Sequence, residues 1–281
     1  MGLRINTNIA SLNSQRHLRA TRQGLDRSIE KLSSGSRINR AGDDAAGLAI
    51  SENLRAQIRG LGQAERNAQD GVSLVQVAEG GLQEISSILI RLRELAVQAA
   101  SDTVGPTERK FLNTEYEALM SEIDRISNAT EFNKIPLLNG TGTVFDIQVG
   151  TRNNPNVDRI SFFDSSSADV TAVALGINLS GVADKASAQN SLSAIDGAII
   201  SVSSIRADFG AMQNRLQSII NNLAIGIENM SAANSRIRDT DVAQETAELT
   251  KNNILMQAGT AVLAQANQSI SSALTLLKGT G

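Results

Sequence analysis

The chain has no cysteine and no tryptophan, one histidine, one tyrosine and three prolines among 281 residues. Without cysteine there is neither a disulfide framework nor thiolate chemistry. Aromatic residues make up 2% of the chain and hydrophobic residues 41%. An interior must therefore be built from Leu, Ile, Val and Ala, which suits close helix packing better than a thick β-sandwich. The scarcity of proline favours long uninterrupted helices. No charge sign dominates: a net charge of -3 makes no electrostatic case for nucleic acid or a membrane surface. No apolar run is long enough to span a bilayer as a helix, and the amino terminus lacks the apolar core of a secretory signal. Its first forty residues are rich in arginine, but they follow a regular helical pattern, which argues against a transit peptide. The length alone suggests about two domains.

The pattern that is present centres on Ser187–Ile237. Leu192, Ile195, Ile199, Val202, Ile205, Phe209, Met212, Leu216, Ile219, Leu223, Ile227, Met230 and Ile237 follow one another at steps of three or four, with Asn234 on the one vacant beat. That spacing puts a narrow apolar stripe on one side of a helix roughly 75 Å long. A rod with such a stripe needs a partner of similar length. Leu54, Ile58, Leu61, Ala68, Val72, Val75, Ala78, Leu82, Ile85, Leu89, Leu92, Ala96 and Ala99 supply a second stripe, with Glu65 on its missed beat. A turn at Val104-Gly105-Pro106 leads to a third helix striped by Leu112, Tyr116, Leu119, Ile123 and Ile126, with Pro106 suited to a first helical position.

The ends carry helices too. Ile5, Ile9, Leu12, Leu18, Leu25, Ile29 and Leu32 mark the first, with Asn6 or Thr7 as its expected cap and Gly35 as its left-handed terminator. A polar connector, Ser36–Gly47, contains Asp43-Asp44, which reads as a cap on the next helix rather than as a catalytic carboxylate pair. Arg238-Asp239-Thr240-Asp241 breaks the rod, and a last helix runs from Val242 to the end. In the middle the period falls to two: Phe145, Ile147 and Val149, then Ile160 and Phe162, predict a β-hairpin. Ser165–Ser180 reads as a loose exposed patch. These elements predict a mainly α fold: a long antiparallel helical rod, a coiled-coil bundle built from both chain ends, with a small β-hairpin region in the middle. The hairpin is expected at the end of the rod remote from the termini. Both terminal helices carry apolar residues on more of their surface than one partner can cover, which marks an association site and predicts that they order only on assembly.

At this point the residues resemble bacterial flagellin. Ile5-Asn6-Thr7-Asn8, Leu32-Ser33-Ser34-Gly35, Arg37-Ile38-Asn39, Asp43-Asp44-Ala45-Ala46-Gly47-Leu48-Ala49-Ile50, Arg66-Asn67-Ala68-Gln69-Asp70-Gly71 and Asn128-Ala129-Thr130-Glu131-Phe132-Asn133 are similar to the family's amino-terminal pattern. Ser235-Arg236-Ile237-Arg238-Asp239-Thr240-Asp241 and Gln257-Ala258-Gly259-Thr260-Ala261-Val262-Leu263-Ala264-Gln265-Ala266-Asn267-Gln268 are similar to its carboxyl-terminal one. Lys134 departs from the pattern, which often has glycine there. The resemblance implies a minimal flagellin without large outer domains. Terminal helices 1–35 and 242–281 would form a filament core, 36–53 with 235–241 a connector, and 54–234 a rod with a hairpin near 143–163. It implies assembly through Leu18, Leu25, Ile29, Leu32, Leu249, Ile254, Met256, Leu263, Ile270, Leu274 and Leu277. It also implies contact with an innate immune receptor through Arg91, Leu95 and Glu115, for which intersubunit packing is the competing role.

The implied function is a secreted structural subunit of the flagellar filament that polymerises with itself and serves swimming. Its implied partners are an export chaperone, filament cap and hook-junction proteins. The alternative is a hook–filament junction protein with the same terminal helices. No cofactor, metal or enzymatic activity is expected. His17 stands alone, and Gly60-Leu61-Gly62 lacks the third glycine and preceding strand of a dinucleotide motif. Asn-x-Ser/Thr strings arise by chance in a chain this rich in Asn and Ser; modification of Ser165–Ser167 is an expectation by analogy only.

Overall fold

The computed structural model describes residues 7–141, 144–164 and 168–278, without the side chains of 162–164 and 270–278. Its helices are α1 (Ile9–Ser34), α2 (Ala45–Ala100), α3 (Pro106–Ala129), α4 (Lys185–Arg238) and α5 (Val242–Lys278). Its strands are β1 (Glu131–Phe132), β2 (Ile135–Pro136), β3 (Val144–Gln148) and β4 (Arg159–Asp164), in two separate antiparallel pairs. The fold is mainly α, with small strand pairs in the middle. Two compact units divide the described residues: one drawn from 1–56 and 229–281, the other from 57–228.

The larger unit takes its core from the stripes of three helices. Val75, Ala78, Leu82, Ile85, Leu89, Leu92 and Ala96 of α2, Tyr116 and Ile123 of α3, and Ile195, Val202 and Leu216 of α4 are all buried. Pro106 opens α3 at its first turn, where its missing N–H costs nothing, and Gly105 stands as N-cap. Arg91 to Glu115 and Arg93 to Asp196 are cross-helix ion pairs. Together with Gly81 beside Thr130 and Gly71 beside Leu216, they show α3 and α4 running antiparallel to α2. Because α3 folds back along α2, its end arrives beside Gly81, where a Cβ would collide with Thr130. The middle of the chain therefore packs on the earlier half of α2. Gly60 lies against Thr151, Gly71 against Ile147, and Asn67 Nδ2 donates to the Gln148 carbonyl at 3.0 Å. This corrects the expectation of a hairpin at the end of the rod remote from the termini.

The hairpin of β3 and β4 pairs Ile147 with Ile160 and shifts register between Phe145 and Asp146, a β-bulge. Its connection is longer than a tight turn, and Asp158 closes it: the Val149 and Gly150 amides donate to its carbonyl and the Asn154 amide to its side chain. The β1–β2 ladder has no counterpart in the sequence expectations. Its turn puts Asn133 at φ 50° and Lys134 at φ 64°, the two left-handed central residues of a type I′ turn. That geometry explains why glycine suits position 134.

The expected loose patch is also corrected. Residues 165–167 lie outside the described ones, but Ala168, Val170, Ala172, Leu175 and Ile177 are buried. Polar groups of α3 and the segment after it hold this stretch. Asp124 accepts from the Ala172 amide at 2.8 Å, Asn113 accepts from the Val182 amide at 3.0 Å, and the Tyr116 hydroxyl meets Ser180 Oγ at 2.6 Å. Burial raises the Tyr116 pKa above its ordinary value, against the opposing hydrogen bonds from Ser180 and Ser191.

Candidate assembly surface

The smaller unit pairs α1 with α5. Asn8, not Asn6 or Thr7, caps α1 by accepting from the Ser11 amide at 3.0 Å; Gly35 ends it at φ 68°. Asn6 lies outside the described residues. Asp44 accepts from the Gly47 amide at 2.8 Å and caps α2, whereas Asp43 accepts from the Asn39 and Arg40 amides within the connector. Those two amides, Arg40 first, hold the Asp43 carboxyl below its ordinary pKa. The two connectors bond to each other: Arg37 N–H donates to the Arg238 carbonyl at 2.6 Å and Thr240 N–H to that of Gly35 at 3.0 Å. Arg238 also reaches Glu52 at 2.6 Å.

Three contacts show that α1 and α5 are antiparallel. Asn8 Nδ2 donates to the Ala266 carbonyl at 3.0 Å, Lys31 meets Glu245 at 3.4 Å, and Leu18 packs where a Cβ on Gly259 would stand. Those sequence-derived assembly residues whose side chains are described divide in two. Leu18, Leu25, Leu32, Leu249, Met256 and Leu263 are half-buried; these recur every seven residues and form the seam between α1 and α5. Ile29 and Ile254 are 50% and 61% exposed and face outward. Ile270, Leu274 and Leu277 have side chains outside the described residues. Ile9, Leu12, Val242, Leu255 and Val262 are also exposed and belong to the outward face. The heptad rhythm finds a seam; it does not find the second face, whose only sequence signal is apolar residues off the beat.

The expected receptor triad is only partly a surface. Arg91 donates to Glu115 Oε1 at 2.9 and 2.8 Å and to Glu94 Oε2 at 2.9 Å. Glu115 first, and then Glu94, holds its pKa further above the ordinary value. Leu95 is 1% exposed: it lies off the beats of the α2 stripe yet is packed in the same core, so it can only support this pair from beneath. His17 is exposed on α1. Among the described residues, no group of three or more His, Cys, Asp or Glu side chains is arranged to hold a metal.

Long paired helices whose partners cover only one side, with apolar residues left on the other, are the make-up of a structural subunit that associates with its own kind. The comparisons place the family. The bacterial flagellin N-terminal helical region matches residues 5–143 and the bacterial flagellin C-terminal helical region matches 192–277. A flagellin of Halalkalibacterium halodurans is 47% identical over 98% of this chain and 99% of its own length. The crystal structure of Bacillus cereus flagellin, 34% identical, covers 60% of this chain and 94% of its own with a TM-score of 0.50. A Vibrio parahaemolyticus chain described as a flagellar hook-associated protein superposes at TM-score 0.58, covering 70% of this chain and 100% of its own, but at 16% identity it shares the fold alone. The chain belongs to the bacterial flagellin family. It is a structural subunit of the flagellar filament and not an enzyme, and the hook-junction alternative is not favoured.

Proposed function

We propose that this chain polymerises through the outward apolar faces of α1 and α5, which neighbouring copies cover in the filament. The observation that carries the reading is the exposure of Ile9, Leu12, Val242, Ile254, Leu255 and Val262 on a helix pair whose own seam is already filled. Residues 1–35 with 242–281 form the filament core, 36–53 with 235–241 the connectors, and 54–234 the outer rod with its hairpin. Leu18, Leu25, Leu32, Leu249, Met256 and Leu263 serve assembly by holding the helix pair together, while Ile29 and Ile254 serve it directly. Burial of apolar area at about 25 cal/mol per Å² spreads the binding energy over many residues. Deleting residues 243–281 leaves a soluble protein that forms no filament in negative-stain images at high concentration; filaments from that truncation refute the reading.

The subunit is exported to the cell exterior, with a chaperone on its carboxyl-terminal helix, and meets cap and hook-junction proteins at the filament ends. Arg91 and Glu115 present the receptor-facing surface, positioned by Leu95. Family membership supports both assignments, and the exposure of the Arg91–Glu115 pair supports the second.

A further inference from the structure

Two features of the larger unit stand exposed at its surface. On α3, Phe111 is 72% exposed, an unusual position for one of six phenylalanines in an aromatic-poor chain. Glu108 and Glu115 lie three residues before it and four after, so a carboxylate, a phenyl ring and a second carboxylate share one helix face. The Glu108 side chain reaches back over Gly105, and that of Glu115 is 44% exposed beside Arg91.

The second feature is a groove of about 440 Å³ between the hairpin and α4. Val149, Ile160, Ile219 and Leu223 contribute its apolar lining and Arg159 and Arg215 its charge, with no carboxylate in the lining. Arg159 donates to Asn153 Oδ1 at 2.6 Å, and neither arginine makes an ion pair among the described residues. Elsewhere in this unit Arg91, Arg93, Arg125 and Arg206 meet carboxylates, whereas Arg109 donates to the Ala99 and Ser101 carbonyls and Arg66 to Gln63.

We infer that the Phe111 face of one copy seats in the Arg159–Arg215 groove of the next, with the ring in the apolar floor, Glu108 facing one guanidinium and Glu115 offering the other the oxygen that Arg91 does not engage. The occupant is a second copy because the chain itself carries the complementary pattern: acid–phenyl–acid against a groove with an apolar lining and two unpaired cations. The inference rests on the filament reading and adds a contact outside the terminal helices. The two patches cannot meet within one chain. Gly71 lies beside Leu216 and Arg91 beside Glu115, which places Phe111 and the groove about 40 Å apart along α2. A contact between different patches is heterologous, the kind that generates an open helical polymer rather than a closed dimer.

The absence of cysteine permits a direct test on the full chain. Thr114→Cys copies and Ser218→Cys copies are mixed, polymerised and oxidised; Thr114 is exposed one turn from Phe111, whose ring stays in place, and Ser218 is an exposed groove residue. A disulfide-linked dimer forms from the mixture and not from either variant alone. Arg215→Glu raises the critical concentration for polymerisation roughly tenfold, and Glu108→Arg in the same chain lowers it again, which a misfolded variant would not do. Filaments without the mixed disulfide overturn the inference while leaving the filament reading intact. So does a Ser218→Cys thiol as reactive towards a maleimide in the filament as in the dilute subunit, which would mean an open groove. Failure of the parent chain to polymerise overturns the filament reading itself.

Discussion

Gly71 offers a sharp test of how the hairpin is seated on α2. A Cβ placed on it would fall well inside contact distance of Ile147 Cδ1, while Leu216 Cδ1 would be 3.3 Å away and Ile147 Cγ1 3.8 Å. Alanine at an interior helix position is favoured over glycine by about 1 kcal/mol. Forcing an added methyl into a packed site costs about 1–3 kcal/mol. Gly71→Ala in the parent should therefore be neutral to destabilising by about 2 kcal/mol. The main obstruction is one terminal methyl, because the next atom of Ile147 is at an ordinary contact distance, although Leu216 Cδ1 must also give slightly. Ile147→Val removes that methyl at a cost of about 0.5–1.5 kcal/mol. In the Ile147→Val background Gly71→Ala should then be more favourable than in the parent, stabilising by up to about 1 kcal/mol less whatever Leu216 must yield. The four proteins of this double-mutant cycle are compared by thermal unfolding below the polymerising concentration, where about 2–4 °C accompanies each kcal/mol for a unit of this size. Equal effects of Gly71→Ala in both backgrounds would refute the seating of Ile147 on Gly71.

Further outcomes follow from other positions. Lys134 is exposed and left-handed, so Lys134→Gly should raise stability by about 1 kcal/mol, read as a higher melting temperature. Asp184 accepts from the Ser187 amide and hydroxyl at the start of α4, the amide first in lowering its pKa. A lowered folded-state pKa gives stability present above the unfolded carboxyl range and lost as pH falls through the folded value. Asp184→Ala should therefore lower the melting temperature at neutral pH, and the gap to the parent should close in acid. In a receptor reporter assay on the dilute subunit, Arg91→Ala should signal more weakly than the parent; an equal signal removes Arg91 from that surface. Amide exchange of α1 and α5 should be fast in the dilute subunit and slow in the filament.

What the sequence determined by itself is the set of helices and which of their faces are apolar. A stripe recurring at three and four residues survives whatever surrounds it, so Tyr116, Ile123, Ile195 and Leu216 could be assigned to the interior beforehand. Caps and breaks were legible for the same local reason: Gly35, Pro106 and Asp44 act on their own turns. Tertiary structure alone decided which partner filled each stripe. The heptad positions of α1 and α5 close on each other, which leaves Ile9, Leu12, Leu255 and Val262 outward. Burial of 168–177 came from α3 side chains distant in sequence, and the placing of the hairpin from glycines on α2. Periodicity is a property of one segment, whereas register between segments depends on which side chains can approach, and only the folded chain settles that.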